Sequence, residues 1–342
     1  MACSTIEPPP TTTTVVQSGI AALHPDILET HILTRLDGPT LASASCADTK
    51  LHALSTQPDL WITICTSTWP STSTPRLLHL MSSFPDGPRS FFSSSYPILH
   101  RCTNSSTNSD PSAPPVRLIS AVDIYYNEKP IISKVQETET ATEWFRCSPF
   151  RIDVLDPKDV VPTSIQHPGD DDTSRKLGEN ISLSWIVMDT TGRRAANLSS
   201  HKAVSVERHW LSGEVQLRFA SILGGDKGTT ELVQCGIVVT CDGSKTGEMQ
   251  VTEVSLQLED MDGVHLMGKE SLVILHKALK GQKVKKVKRE HGGREGYQEY
   301  LEMKRERKER KIRLEGTLDM ACLVAIGIFA FSFGVWRFAF LL

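Results

Sequence analysis

A chain of 342 residues with 39% hydrophobic and 23% charged residues has the composition of a globular protein, long enough for roughly two domains of about 150 residues. The net charge of −3 is unevenly placed: residues 280–313 hold 14 Lys and Arg against 6 Glu, a local +8 that leaves −11 elsewhere. Eight cysteines at 3, 46, 65, 102, 147, 235, 241 and 322 form no CxxC pair and no zinc-finger or zinc-ribbon spacing, which excludes such modules and fits a reduced, cytosolic setting.

Residues 1–20, with "EPPPTTTTVV", lack the apolar content to fold and are predicted to be disordered. Residues 1–22 also lack a basic start followed by an apolar core, so no secretory signal is expected there. The sequons at Asn104, Asn180 and Asn197 then read as chance matches.

Residues 21–100 read as helical. Pro25 and Asp26 suit a helix start, because Pro fixes φ where no amide partner is needed and Asp favours the positive helix end. Leu28 and Ile32 lie four apart, and Ile32, Leu33 and Leu36 continue the apolar stripe until Gly38-Pro39 ends it. Pro39 opens a second short helix with Leu41 and Cys46, and Leu51 and Leu54 mark a third before "QPDLW". Three short helices enclose little core, so part of their apolar surface is expected to face a partner.

Residues 101–115, "RCTNSSTNSDPSAPP", form a polar linker ending in proline. From 116 to 280 the dominant period is two. Phe150, Ile152 and Val154 alternate with Arg151 and Asp153, and Ile181, Leu183, Trp185 and Val187 fall on one face of their segment. Val215, Leu217 and Phe219 repeat the pattern, as do Val254, Leu256 and Leu258. The breaks "YNEKP", "GGDKG" and "CDGSKTG" separate these runs, and a looser loop is expected at 156–180. The fold class is therefore α+β, with helices first and then an antiparallel sheet or sandwich.

Residues 281–317 are a basic segment, with "KVKKVKRE" at 283–290 and "EMKRERKERKIR" at 302–313. Glu306 with Arg310 and Glu309 with Arg313 are i,i+4 pairs of a solvated helix, and the segment could attract anionic lipid. Residues 318–342 close the chain, and Met320 to Trp336 carry no charge. As a helix, Met320–Leu342 would extend roughly 34 Å against a hydrocarbon core of about 30 Å. The segment is expected to be a single C-terminal transmembrane anchor, its basic flank kept in the cytosol and Arg337 snorkelling to the far headgroups. Without insertion, the chain would be nuclear or cytosolic.

Enzymatic readings find little support. "GGDKG" lacks the spacing of a phosphate loop and "GDDDT" the ligand spacing of a calcium loop. His201, His209, His265 and His276 show no HExxH pattern, and no G-x-S-x-G elbow is present. No catalytic residue, cofactor or metal site is expected, and no nucleic-acid partner.

The run "LHPDILETHILTRLDGPTLASASCADTKLHALSTQPDLW" (23–61) resembles an F-box. It has a Pro and an acidic residue near the start, an Ile-Leu pair, a second Leu after "TR", Leu41 opening the next helix, and a closing Pro, Leu and Trp. His24 stands between Leu23 and Pro25, displacing the usual Leu-Pro start, and the third-helix segment "DTKLHAL" carries Lys50 but no tryptophan. The continuation through residue 97 is similar to a subgroup of plant F-box proteins, in which a helical extension precedes a β-rich domain and a hydrophobic tail.

The resemblance implies a non-catalytic substrate receptor of a cullin-RING ubiquitin ligase of the SCF type. A Skp-type adaptor would dock on Leu23, Pro25, Ile27, Leu28, Ile32, Leu33, Leu36, Leu41, Leu51 and Trp61. The β-rich domain at 116–280 would select an unknown protein substrate, and the tail would contact membrane lipid. Alternatives are a membrane-anchored scaffold outside any ligase and a carbohydrate-binding β-domain protein.

Overall fold

A computed structural model describes residues 23–96, 115–225, 232–280 and 292–339. The expected disordered start, nearly all of the 101–115 linker, "KVKKVKRE" and the last three residues of "GGDKG" lie outside the described residues. The chain divides into two compact units, Met1–Thr68 and Trp69–Leu342, with the boundary inside the segment 21–100.

The first unit is helical. α1 (Pro25–Ile27) runs on into a π-helical turn at Leu28–Ile32 and a 3-10 turn at Leu33–Arg35, and α2 (Gly38–Ala44), α3 (Thr49–Ser55) and α4 (Pro58–Thr68) follow. Local chemistry sets the starts. The His24 ring accepts from the Asp26 amide at 3.3 Å, and the Asp37 carboxylate accepts from the Thr40 amide at 2.9 Å ahead of Pro39.

The second unit begins with its own helical segment: Trp69, a 3-10 turn at Pro70–Ser73, α5 (Pro75–Ser82) and α6 (Gly87–Ser95). Trp69 lies 6.0 Å from Phe91 and 5.3 Å from Phe92, ring centre to ring centre, giving the segment a small aromatic core. The strands are β1 (Arg117–Tyr126), β2 (Lys129–Glu139), β3 (Arg151–Asp153), β4 (Val161–Gln166), β5 (Ile181–Asp189), β6 (Arg194–Asn197), β7 (His201–Lys202), β8 (Ser205–Arg208), β9 (Val215–Gly224), β10 (Leu232–Gly243) and β11 (Glu248–Asp260). They form two antiparallel sheets, β2-β1-β5-β6 with β7 on β5, and β3-β11-β10-β9-β8 with β4 on β11.

The period-two residues meet between the sheets. Val122, Ile124, Leu183, Trp185 and Val187 of the first sheet share one core with Phe150, Val215, Leu217, Phe219, Val254, Leu256 and Leu258. α7 (Glu143–Cys147) and α8 (Asp171–Asn180) lie between strands, and α9 (Gly268–Lys280) adds Leu272, Leu275 and Ala278 to the same core. The loop expected at 156–180 thus contains β4 and α8. Its acidic stretch is a helix start, where the Asp170 carboxylate accepts from the Thr173 amide at 2.7 Å. Asn197 is buried and donates to Ser184 Oγ at 2.9 Å, which leaves no room for a glycan.

Strand β5 is buried at all nine positions because its second face is covered as well. The covering segment is 69–96, held by an ion pair between Arg76 and Glu137 and by the buried Asp123 carboxylate, which accepts from Ser71 N at 2.9 Å and Ser71 Oγ at 2.6 Å. The outer face of the other sheet is covered by α10 (Gly292–Ala339). Tyr297 and Tyr300 pack on Val204, Ala220, Ile222, Leu232 and Met261, and Tyr300 Oη donates to the Asp260 carbonyl at 3.1 Å. From Gly292 on, the described part of the basic segment and the apolar tail are therefore one helix, docked on the sheet at its start and exposed toward its end.

Candidate functional site: the N-terminal helical surface

The sequence places Leu28 and Ile32 side by side on one stripe. The structure separates them. The Leu33 amide donates to the Leu28 carbonyl, five residues back, and this widened turn brings Leu28 and Leu33 inward together while Ile32 stays half-buried. Of the apolar residues marked out in the sequence, Leu28, Leu33, Leu41 and Trp61 are core, each no more than 1% exposed. Trp61 also donates from Nε1 to the Ser55 carbonyl at 2.7 Å, which joins α4 to the end of α3.

A second set faces outward. Leu23 is 38% and Ile27 45% exposed, Pro25 is exposed, and Ile32, Leu36 and Leu51 are half-buried. Lys50 Nζ donates to the Leu23 carbonyl at 2.7 Å, pinning the start of the chain's described part to α3. The basic residue of the third helix therefore acts on the backbone at the edge of the exposed patch. Exposed aliphatic side chains on a small helical unit, backed by a fully buried leucine layer, make a surface suited to an apolar groove of another protein.

Burial pushes the thiols of Cys65, Cys235 and Cys241 up to about 12, the opposite of what a thiolate nucleophile needs. Among the described residues no three His, Cys, Asp or Glu side chains gather as metal ligands. His276 is held below the usual histidine range, first by burial and then by Lys280.

The second exposed apolar surface is the end of α10. Leu323, Ile326, Phe329, Phe331 and Trp336 are all exposed, Phe329 by 78%, and the helix is long and apolar enough to cross a membrane. The sequence shows this tail plainly. It does not show that the same helix begins on the sheet, because Tyr297 and Tyr300 sit among Glu, Gln and Arg and form no apolar run.

No family model matches the chain, and no solved structure matches it. Three curated relatives from Arabidopsis thaliana do. The chain is 45% identical over 329 residues to "Probable F-box protein At2g36090", covering 95% of this chain and 96% of that protein. It is 44% identical to "F-box protein At2g27310" over 77% of this chain and 80% of that one, and 45% identical to "F-box protein At3g44326" over 76% and 74%.

Proposed function

The chain belongs to the plant F-box protein family, and from that premise we propose that it is a substrate receptor of an SCF-type cullin-RING ubiquitin ligase, without catalytic activity of its own. In this reading the exposed face formed by Leu23, Pro25 and Ile27, flanked by Ile32, Leu36 and Leu51, docks a Skp-type adaptor, while Leu28, Leu33, Leu41 and Trp61 act behind it as core. The observation that carries the proposal is this division of one helical unit into a buried leucine layer and an exposed aliphatic edge. Copurification tests it: the full chain should retain a tagged Skp-type adaptor at one-to-one stoichiometry. An adaptor that elutes alone at micromolar concentration would sink the assignment.

The β-sandwich is the substrate-selecting part in the same reading, and the end of α10 is a membrane anchor that leaves the N-terminal helical unit and the β-sandwich in the cytosol. The anchor is supported by the exposed apolar side chains from Met320 to Trp336 and by the basic residues before them. The full chain is expected to stay in the pellet after alkaline carbonate extraction, and a chain lacking 318–342 to move wholly to the soluble fraction. Equal distribution of the two would remove the anchor.

A further inference from the structure

Where α10 leaves the sheet, it passes a turn whose backbone is fixed by Asp260. Its carboxylate accepts from the Asp262 amide at 2.9 Å and from the Val264 amide at 2.8 Å. Between this turn and the helix lies a shallow cleft of about 260 Å³, lined by Asp262, Arg307, Arg310, Lys311 and Leu314. At about 100° per residue, Arg310, Lys311 and Leu314 all fall within about 60° of Arg307, so a single helix face carries three cations and one aliphatic side chain.

Two acidic residues flank this face, Glu306 one turn before Arg310 and Glu315 one turn after Lys311, and among the described residues neither is within ion-pair distance of its neighbour. Glu309 sits on the far side, 3.7 Å from Arg305 and 3.8 Å from Arg313, so those two arginines share one carboxylate. In the cleft, Asp262 engages Arg307 at 3.3 Å. Among the described residues, no carboxylate lies within ion-pair distance of Arg310 or Lys311. The lining of the cleft thus sets three cations against the one carboxylate of Asp262, beside the side chain of Leu314.

We propose that this cleft binds the phosphorylated headgroup of an anionic inositol lipid in the anchoring membrane, an inference that rests on the anchor reading of α10. Phosphate chemistry follows from Arg310 and Lys311 with Arg307 behind them. The lipid source follows from position: at about 1.5 Å per residue, Leu314 stands about 9 Å and Lys311 about 13 Å before Met320, where the apolar stretch begins. A bilayer's polar layer is only about 5–8 Å thick on each side. Helix side chains also lean toward the N-terminus, here away from the bilayer. A serine or choline headgroup falls short of the cleft, and a polyphosphorylated inositol ring, which stands above its neighbours, reaches it.

The test uses the full chain in neutral detergent micelles with a fluorescent phosphatidylinositol bisphosphate, read by anisotropy. The same lipid without dye should displace the probe at least tenfold better than phosphatidylserine at equal charge, and better than soluble inositol trisphosphate. Arg310→Gln/Lys311→Gln should weaken binding about tenfold or more, and Arg305→Gln/Arg313→Gln, with the same change of charge, less than threefold. Equal losses in the two variants would mean diffuse polybasic attraction and overturn the site. Soluble inositol trisphosphate competing as well as the lipid would make it a site for free phosphates and overturn the lipid assignment. Micelle binding needs no membrane crossing, so this outcome is separate from carbonate extraction, which tests the anchor itself.

Discussion

Leu41→Ala is expected to unfold the N-terminal helical unit and to abolish adaptor capture with it. Leu41 is fully buried at the centre of α2, and deleting a buried leucine side chain costs about 2–5 kcal/mol. The described part of the unit, residues 23–68, is short. At about 0.05–0.15 kcal/mol per residue, a unit of that size has a total stability of only about 2–7 kcal/mol. One substitution therefore removes an amount comparable to the whole, and Leu28→Ala should do the same for the same reason. Hydrogen exchange should show the amides of α2 and α3 losing protection while the β-sandwich amides keep theirs. Protection left unchanged in α2 would show that the leucine layer is not the core of this unit. It follows that loss of adaptor binding in a Leu28 or Leu41 variant would not locate the docking surface.

The second large effect is expected at Asp123. Its carboxylate is fully buried in the middle of β1 and receives both the amide and the hydroxyl of Ser71, with Ser133 also hydrogen-bonded to it. Asp123→Ala would strand two Ser71 donors in the interior, at about 1–3 kcal/mol each. A loss of about 2–5 kcal/mol is expected by urea denaturation, together with new protease sensitivity within 69–96. Asp123→Asn, which keeps one acceptor oxygen, should lose less. Burial raises the Asp123 pKa against the opposing pull of the Ser71 and Ser133 hydrogen bonds. The folded pKa thus exceeds the unfolded one, and its stability contribution is fully present below the unfolded value and is lost as pH rises through the folded value. The wild type should gain stability relative to Asp123→Asn as pH is lowered through that window. A pH-independent difference would contradict the buried carboxylate.

The two-sheet core was legible in the sequence because strand periodicity is local: Trp185, Phe219 and Leu256 announce their inward faces through their immediate neighbours. The helices of the first unit were legible for the same reason, through Pro25, Gly38-Pro39 and "QPDLW". The division of that unit into core and surface was not. An α-helical period puts Leu28 with Ile32, and only the π-helical turn exchanges Ile32 for Leu33 on the inside. Nor does the sequence show that 69–96 covers the first sheet, since the partners Ser71 and Asp123 are 52 positions apart and a lone Asp in "RLISAVDIYY" resembles an ordinary polar position. Docking of α10 is hidden likewise, because its two buried tyrosines lie in a charged stretch. In each case the deciding contact is long-range or depends on backbone geometry that residue spacing does not encode.

The central claim is that the exposed aliphatic edge, and not the buried leucine layer, binds the adaptor. Calorimetric titration of a purified Skp-type adaptor into the full chain and into Leu23→Ser/Ile27→Asp tests it most directly. Leu23 and Ile27 have about two-fifths of their surface still to bury, worth roughly 1 kcal/mol each, and the new carboxylate would face an apolar partner. Affinity is therefore predicted to fall at least thirtyfold, with urea unfolding of the chain unchanged within experimental error. Equal affinity in the two proteins, with both folded, would contradict the account.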